Sequence, residues 1–246
     1  PVLDNEERAK IGTLYKQVSP FAAKKLGAAL VSRNIANHLE NHLLEMPREW
    51  RPLIYCWRGG ERSGAFTHIL NRIGWKAMQL EGGYQGFRRT VIQDLDLAAN
   101  QFSFHVICGM TGSGKTRVLR EAQNLGAQVL DLEALAIHRG SVLGNEPNIE
   151  QPTQKGFETA LWNALRSLDV MKPVLVESES KKVGGVHIPD ALMEKIRNGA
   201  CIELRSSTNT RVSWLLREYH HFLSDTDQFK NKLALLTAHY GKVQIA

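Results

Sequence analysis

Cysteine is scarce in this 246-residue chain: Cys56, Cys108 and Cys201 are the whole complement. Three thiols so widely scattered make neither a disulfide framework nor a cysteine-rich zinc site. They suit a reducing, cytoplasmic setting. Long hydrophobic runs are missing too. No stretch approaches the roughly 18 apolar residues that read as a membrane span, so no membrane partner is expected. No basic-then-apolar leader opens the sequence; it starts at Pro1 rather than Met and reads as a segment of a longer protein. Internal repeats and low-complexity tracts are also absent. What remains is 43% hydrophobic and 23% charged, the balance of a globular chain with real cores. Its length suits one large domain or two ordinary ones. A net charge of +6 favours an anionic partner, either nucleic acid or a phosphorylated small molecule.

Apolar spacing predicts helix from about Glu6 to Leu44, broken near Ser19 and Pro20. A short strand follows at Leu53–Tyr55, then a helix Ser63–Ile73 closed by Gly74. Another strand, Ala77–Leu80, ends at Gly82 and Gly83, and helix resumes near Tyr84. The polar stretch Asp94–Gln101 reads as a boundary. Beyond it the pattern restarts with strand Phe104–Cys108, helix Thr116–Leu125 and strand Gln128–Leu132. Helix Thr153–Leu168, strand Val174–Val176, helix Pro189–Arg197, strand Cys201–Leu204 and a helical region Arg211–Tyr240 complete it. Alternating strands and helices predict parallel sheets in both halves.

"CGMTGSGKT" fits G-x-x-x-x-G-K-[ST], with Gly109, Gly114, Lys115 and Thr116 at the fixed places. Glycines let backbone N–H groups turn toward an anion, and the following helix offers its positive end. Thr111, Gly112 and Ser113 complete the expected diphosphate cradle. Lys115 adds a point charge, and the Thr116 hydroxyl suits magnesium. Such loops also use an acidic residue at a neighbouring strand end. "VLVESES" offers Glu177 and Glu179; "VLDLE" offers Asp131 and Glu133. Nothing in the loop itself demands a nucleoside.

"LIYCWRGGERSGAF" places Cys56 at the exit of an apolar run, with Arg58 and Arg62 around two glycines. A strand-to-helix turn aims N–H groups and a helix dipole at the sulfur, which lowers a thiol's pKa and cradles an anion. Cys56, Arg62 and Ser63 match the C-x5-R-[ST] pattern of cysteine phosphatases. Rhodanese-type sulfurtransferases share the same strand–loop–helix arrangement. The spacing alone leaves both open, and no carboxylic acid for a phosphatase leaving group stands out.

"ERAKIGTLYKQ", "YCWRGGERS", "LEGGYQGFRR", "GMTGSGKT", "LEALAIHRGS", "QPTQKGFE" and "VLVESES" occur in this order. Together they resemble bacterial tRNA 2-selenouridine synthases, in which a rhodanese domain is fused to a P-loop domain. The resemblance implies an α/β chain, with a rhodanese-like domain over residues 1–97 and a P-loop NTPase-like domain with a parallel sheet over 98–246. It implies a transferase that acts on a wobble 2-thiouridine of tRNA. Geranyl diphosphate would alkylate the sulfur, and selenium from selenophosphate would then displace the S-geranyl group. No tightly bound cofactor is implied, and an enzyme that supplies selenophosphate is a natural partner. By position, Cys56 would serve the selenium step and Gly109–Thr116 would hold the prenyl diphosphate. His138 and Arg139 of "HRGS" would meet phosphates near that loop, with Gln151, Gln154 and Glu158 facing the same cleft or serving as ordinary first-turn residues. Arg205 and Arg211 read as solvated, with a contact to tRNA phosphate or a lid as the alternative. The family's chains are expected to continue beyond both ends of this one. Other readings stay open: a P-loop kinase or NTPase with a rhodanese-like regulatory domain, a cysteine phosphatase, or a non-enzymatic tRNA-binding module.

Overall fold

Asp4 opens the first helix with a reciprocal cap. Its carboxylate accepts from the Glu7 N–H, and the Glu7 carboxylate accepts from the Asp4 N–H. The computed structural model of the protein describes residues 1–57, 59–141, 144–145 and 149–219. Arg58, and the expected terminal helix from residue 220 onward, lie outside the described residues. The chain divides into two compact units, Pro1–Arg89 and Thr90–Ala246.

In the first unit, α1 (Asn5–Gln17) and α2 (Pro20–His38) replace the single broken helix of the sequence reading. The break is chemical. Ser19 accepts from the Phe21 and Ala22 N–H groups, and Pro20, which lacks an N–H, takes the first helical position. Val31 and Ile35 bury against Leu3. Strand β1 (Leu53–Ile54) pairs in parallel with β2 (Met78–Gln79), and α3 (Glu61–Ile73) connects them. Helix α4 (Gly83–Ala98) follows.

The polar stretch 94–101, read as a boundary, is helical: α4 runs to Ala98 and a short 3-10 turn covers Ala99–Gln101. Val91, Leu95 and Ala99, spaced four apart, are all buried. That stripe outweighs the polar residues between them.

In the second unit the strands are β3 (Phe104–Cys108), β4 (Gln128–Leu130), β5 (Val174–Glu177) and a later β8 (Ala200–Glu203). They form one parallel sheet in the order β4-β5-β3-β8. Helices α5 (Lys115–Asn124), α6 (Leu132–Ala136), α7 (Gln154–Arg166), α8 (Asp190–Arg197) and α9 (Thr208–Glu218) complete it. Phe104, Val106, Val174, Val176, Leu119, Leu161 and Leu192 form its core. One feature the periodicity did not announce is a small antiparallel hairpin of β6 (Lys182–Val183) and β7 (Val186–His187).

Two of the three cysteines, far apart in sequence, come together in space. Cys108 on β3 and Cys201 on β8 are joined as a disulfide, with Cα atoms 6.2 Å apart. Strand pairing explains the meeting: β8 lies beside β3, although 93 residues separate the two cysteines. Cys56 is the free thiol. Among the described residues, no helix is long and apolar enough to cross a membrane.

Candidate functional site

In the first unit, Cys56 leaves β1 and is gripped from behind. The Tyr84 N–H donates to the Cys56 carbonyl at 2.8 Å and the Gln85 N–H to the Trp57 carbonyl at 3.2 Å. The start of α4 thus holds the loop's backbone, and the sulfur is left to the start of α3. Gly83 permits this closeness: it sits at φ 57°, and a Cβ there would run into the Cys56 carbonyl.

The sulfur accepts from the buried Ser63 hydroxyl at 3.3 Å, and the same hydroxyl also reaches the Gly60 carbonyl at 3.1 Å. One proton cannot serve both, and a thiolate is the stronger acceptor. Gln79 on β2 donates to Ser63 Oγ at 3.1 Å and to the Gly60 carbonyl at 3.0 Å. That fills the carbonyl's need and frees the serine proton for sulfur. Burial pushes the Cys56 thiol up. The Ser63 hydroxyl, the Ser63 and Gly60 backbone and the Arg62 charge outweigh it, so the net shift is below the ordinary thiol range. These contacts favour the thiolate of Cys56.

The relay through Ser63 carries a prediction. Ser63→Ala removes a donor to the thiolate, so the pH midpoint for iodoacetamide alkylation of Cys56 rises and the rate at neutral pH falls. An unchanged midpoint would remove Ser63 from the activating shell.

In the second unit, the glycine loop between β3 and α5 runs into the N-terminus of α5, whose N-cap Gly114 supplies no side-chain cap to the first N–H groups. Gly112 sits at φ 78°, and a Cβ there would lie 2.9 Å from the Arg211 carbonyl; only glycine tolerates both conditions. Lys115 Nζ folds over the loop and donates to the Gly109 carbonyl at 3.2 Å. Ser113 Oγ is buried without a partner. An orphan hydroxyl beside backbone donors suits an oxyanion.

Glu177 ends β5 beside β3, with Ile107 opposite in register. Thr116 Oγ1 lies 3.3 Å from Glu177 Oε2 and 3.4 Å from Glu133 Oε2. Oxygens of Glu133, Glu177 and Glu179 fall within 4.8 Å of one another. Burial and the Glu177 charge push Glu133 up to about 9. Burial and Glu177 likewise push Glu179 up to about 7. Glu177 is only 1% exposed, and its Oε1 has no partner. The second unpaired atom suits a magnesium ion shared with the Thr116 hydroxyl. Asp131, another of the four acidic candidates, spends Oδ1 capping α6 through the Ala134 N–H at 2.8 Å. Glu133, two residues on, points to the cluster. Sequence spacing could not choose between them.

The "HRGS" loop meets this cluster at Gly140, where a Cβ would lie 2.6 Å from Glu179 Oε1. His138 is buried and its Nδ1 accepts from the Gly140 N–H. Arg139 donates to the Glu218 carbonyl at 2.6 Å, and Ser141 bonds the Tyr219 hydroxyl at 2.8 Å. Gln151 and Gln154 have structural duties. Gln151 bridges the Ala136 and Val183 carbonyls and accepts from the Gly185 N–H. Gln154 pairs with both backbone groups of His187 and also donates to Glu158. Together they latch the β6–β7 hairpin. Arg211 on α9 donates to the Thr111 carbonyl at 2.9 Å and contacts the Met110 sulfur, so it lies at the rim of the phosphate loop. Arg205 pairs instead with Glu203 at 2.8 Å on the surface.

Comparison with known proteins adds a lineage to this geometry. Residues 102–240 match the family described as tRNA 2-selenouridine synthase AAA domain. A tRNA 2-selenouridine synthase of Nitrosomonas europaea is 38% identical over 223 residues, 89% of this chain and 57% of that protein. That of Alcanivorax borkumensis is 37% identical over 224 residues, 89% of this chain and 60% of the relative. That of Shewanella halifaxensis is 36% identical over 226 residues, 90% of this chain and 60% of the relative. The chain thus spans between half and two thirds of these relatives. No solved structure matches it.

Proposed function

Since this chain belongs to the tRNA 2-selenouridine synthase AAA-domain family, we propose that it helps convert wobble 2-thiouridine of tRNA to 2-selenouridine. The first, rhodanese-like unit serves the selenium step and the second is the prenyl-diphosphate site, and both work on tRNA in the cytoplasm. The observation that carries this reading is the pairing, in one chain, of an activated thiol at a helix start with a phosphate cradle holding two orphan polar groups, Ser113 Oγ and Glu177 Oε1.

In the first step, the thiouridine sulfur bonds to C1 of geranyl diphosphate and the C1–O bond breaks, releasing diphosphate. The base loses its N3 proton and becomes neutral S-geranyl-2-thiouridine. The loop amides, Lys115 and the Ser113 hydroxyl bind the diphosphate and stabilise the charge it takes away. A magnesium ion, held by Thr116 and Glu177, would supply further Lewis-acid stabilisation of that leaving group. In the second step, the selenium of selenophosphate, bound in the Cys56 loop, bonds to C2 while the C2–S bond breaks and geranyl thiol departs with a proton. Water then cleaves the Se–P bond, releasing phosphate and leaving 2-selenouridine. Alkylation makes this exchange feasible, because an S-alkyl sulfur leaves as a thiol whereas a thiocarbonyl sulfur has no such exit. An enzyme making selenophosphate is the natural upstream partner.

The test is direct. The protein is incubated with thiolated tRNA and geranyl diphosphate, then with selenophosphate, and the wobble nucleoside is weighed after each addition. Gain of a geranyl group followed by its exchange for selenium supports the reading; an unaltered nucleoside with both donors present contradicts it. A kinase or NTPase reading draws on the Thr116–Glu177 pair, which would equally hold magnesium with ATP. The cation site has its own check. Glu177→Gln should weaken Mn²⁺ binding, followed by electron paramagnetic resonance, by at least the about 10- to 100-fold typical of losing even an outer-shell partner. Equal Mn²⁺ affinity would remove Glu177 as a ligand.

A further inference from the structure

We infer that Arg211 and Ser206 are positioning residues: from outside the phosphate loop they hold two of its carbonyls and so aim the N–H groups that grip the diphosphate. This rests on the diphosphate reading of the loop above and adds the residues that shape it. Past β8, the Leu204 N–H donates to the Cys108 carbonyl at 2.8 Å, which keeps the chain alongside the loop. Ser206 Oγ then donates to the Ser113 carbonyl at 3.2 Å. Ser207 caps α9 by accepting from the Thr210 N–H. One residue later, Arg211 Nε donates to the Thr111 carbonyl at 2.9 Å. Leu215 completes the contact, since a Cβ on Gly112 would lie 3.0 Å from its side chain.

Those two carbonyls decide where the neighbouring donors point. No peptide bond among the described residues is cis, and a trans peptide sets each C=O opposite the N–H of the next residue. Holding the Thr111 carbonyl against Arg211 therefore turns the Gly112 N–H away from α9. Holding the Ser113 carbonyl against Ser206 turns the Gly114 N–H away from that same segment. Both glycines sit at positive φ, 78° and 91°, a conformation in which a loop presents its N–H groups as a nest. Among the described residues neither N–H finds an acceptor. The hydroxyl of Ser113, between them in sequence, is the buried orphan noted above. Three donors so arranged suit an oxyanion. Arg211 also sets its Nη1 on the Met110 sulfur at 3.2 Å, so its guanidinium is committed to the loop at two points.

Calorimetric titration of inorganic pyrophosphate, with magnesium present, into the full chain tests the clamp. Glutamine carries Nε2 the same number of bonds from the backbone as arginine carries Nε, so Arg211→Gln keeps the donor and drops the charge. Its affinity should stay within about threefold of wild type. Arg211→Leu, which has no donor, should weaken binding by about 10- to 150-fold, the range for a hydrogen bond from a charged group. Ser206→Ala, losing a neutral donor, should weaken it by about 2- to 12-fold. Equal weakening in Arg211→Gln and Arg211→Leu would assign the effect to charge and overturn the positioning role. Wild-type affinity in Arg211→Leu would overturn it too, and the diphosphate reading stands in both cases. If Arg211→Leu does not fold, Ser206→Ala carries the test, and wild-type affinity there overturns the clamp. A wild-type chain that takes up no pyrophosphate overturns the clamp and the diphosphate reading together.

Discussion

Replacing Lys115 by alanine should cut prenylation of thiolated tRNA by at least about 10²- to 10³-fold, the loss typical of removing one donor from a charge-stabilising site. The estimate is a floor, since Lys115 brings a full charge rather than a neutral dipole. Its ammonium lies over the loop, 3.2 Å from the Gly109 carbonyl, and its charge partly offsets the burial that pushes both Glu177 and Glu179 up. Alanine therefore removes the countercharge from a departing diphosphate and also leaves the carboxylates without their nearest cation. Lys115→Arg keeps the charge but changes reach and shape, so it should recover only part of the rate. Single-turnover prenylation, followed by mass spectrometry of the wobble nucleoside, reads both variants. A rate within a factor of three of wild type for Lys115→Ala would remove this loop from the prenyl step.

Cys56→Ser should have the opposite profile: prenylation unchanged and selenium incorporation abolished. Serine preserves size and the helix-start setting, but a hydroxyl there stays protonated where the thiol ionises. The hydrogen bonds from Ser63 and the Arg62 charge favour an anion on sulfur, and they cannot supply the ionisation an alcohol lacks. The S-geranyl intermediate should therefore accumulate. Selenium incorporation by Cys56→Ser would show that the chalcogen bypasses this thiol. Loss of prenylation in the same variant would contradict the division of labour between the two units.

Much of this site could be read in the sequence because it depends on local order. A strand, a glycine loop and a helix in succession announce an anion cradle, and "CGMTGSGKT" supplies all three within a few residues. Cys56, at the exit of an apolar run, is legible for the same reason. The carboxylates were less so. Asp131 and Glu133 are both acidic residues after β4, and only the helix cap on Asp131 shows which one is free to face Thr116. Ser63 looked like part of a motif, but its dependence on Gln79 arises from the parallel β1–β2 pairing, which no short-range pattern encodes. The Cys108–Cys201 pair and the hairpin latched by Gln151 and Gln154 likewise come from register and long-range packing. The helix through the polar stretch 94–101 was hard to read because its order rests on Val91, Leu95 and Ala99, buried at helical spacing among charged residues.

The most direct test is a calorimetric titration of geranyl diphosphate, set against ATP, into the wild-type chain and Lys115→Ala with magnesium present. The account predicts that geranyl diphosphate binds the wild type more tightly than ATP and that Lys115→Ala loses this binding. Tight ATP binding that depends on Lys115, with no measurable heat from geranyl diphosphate, would contradict it.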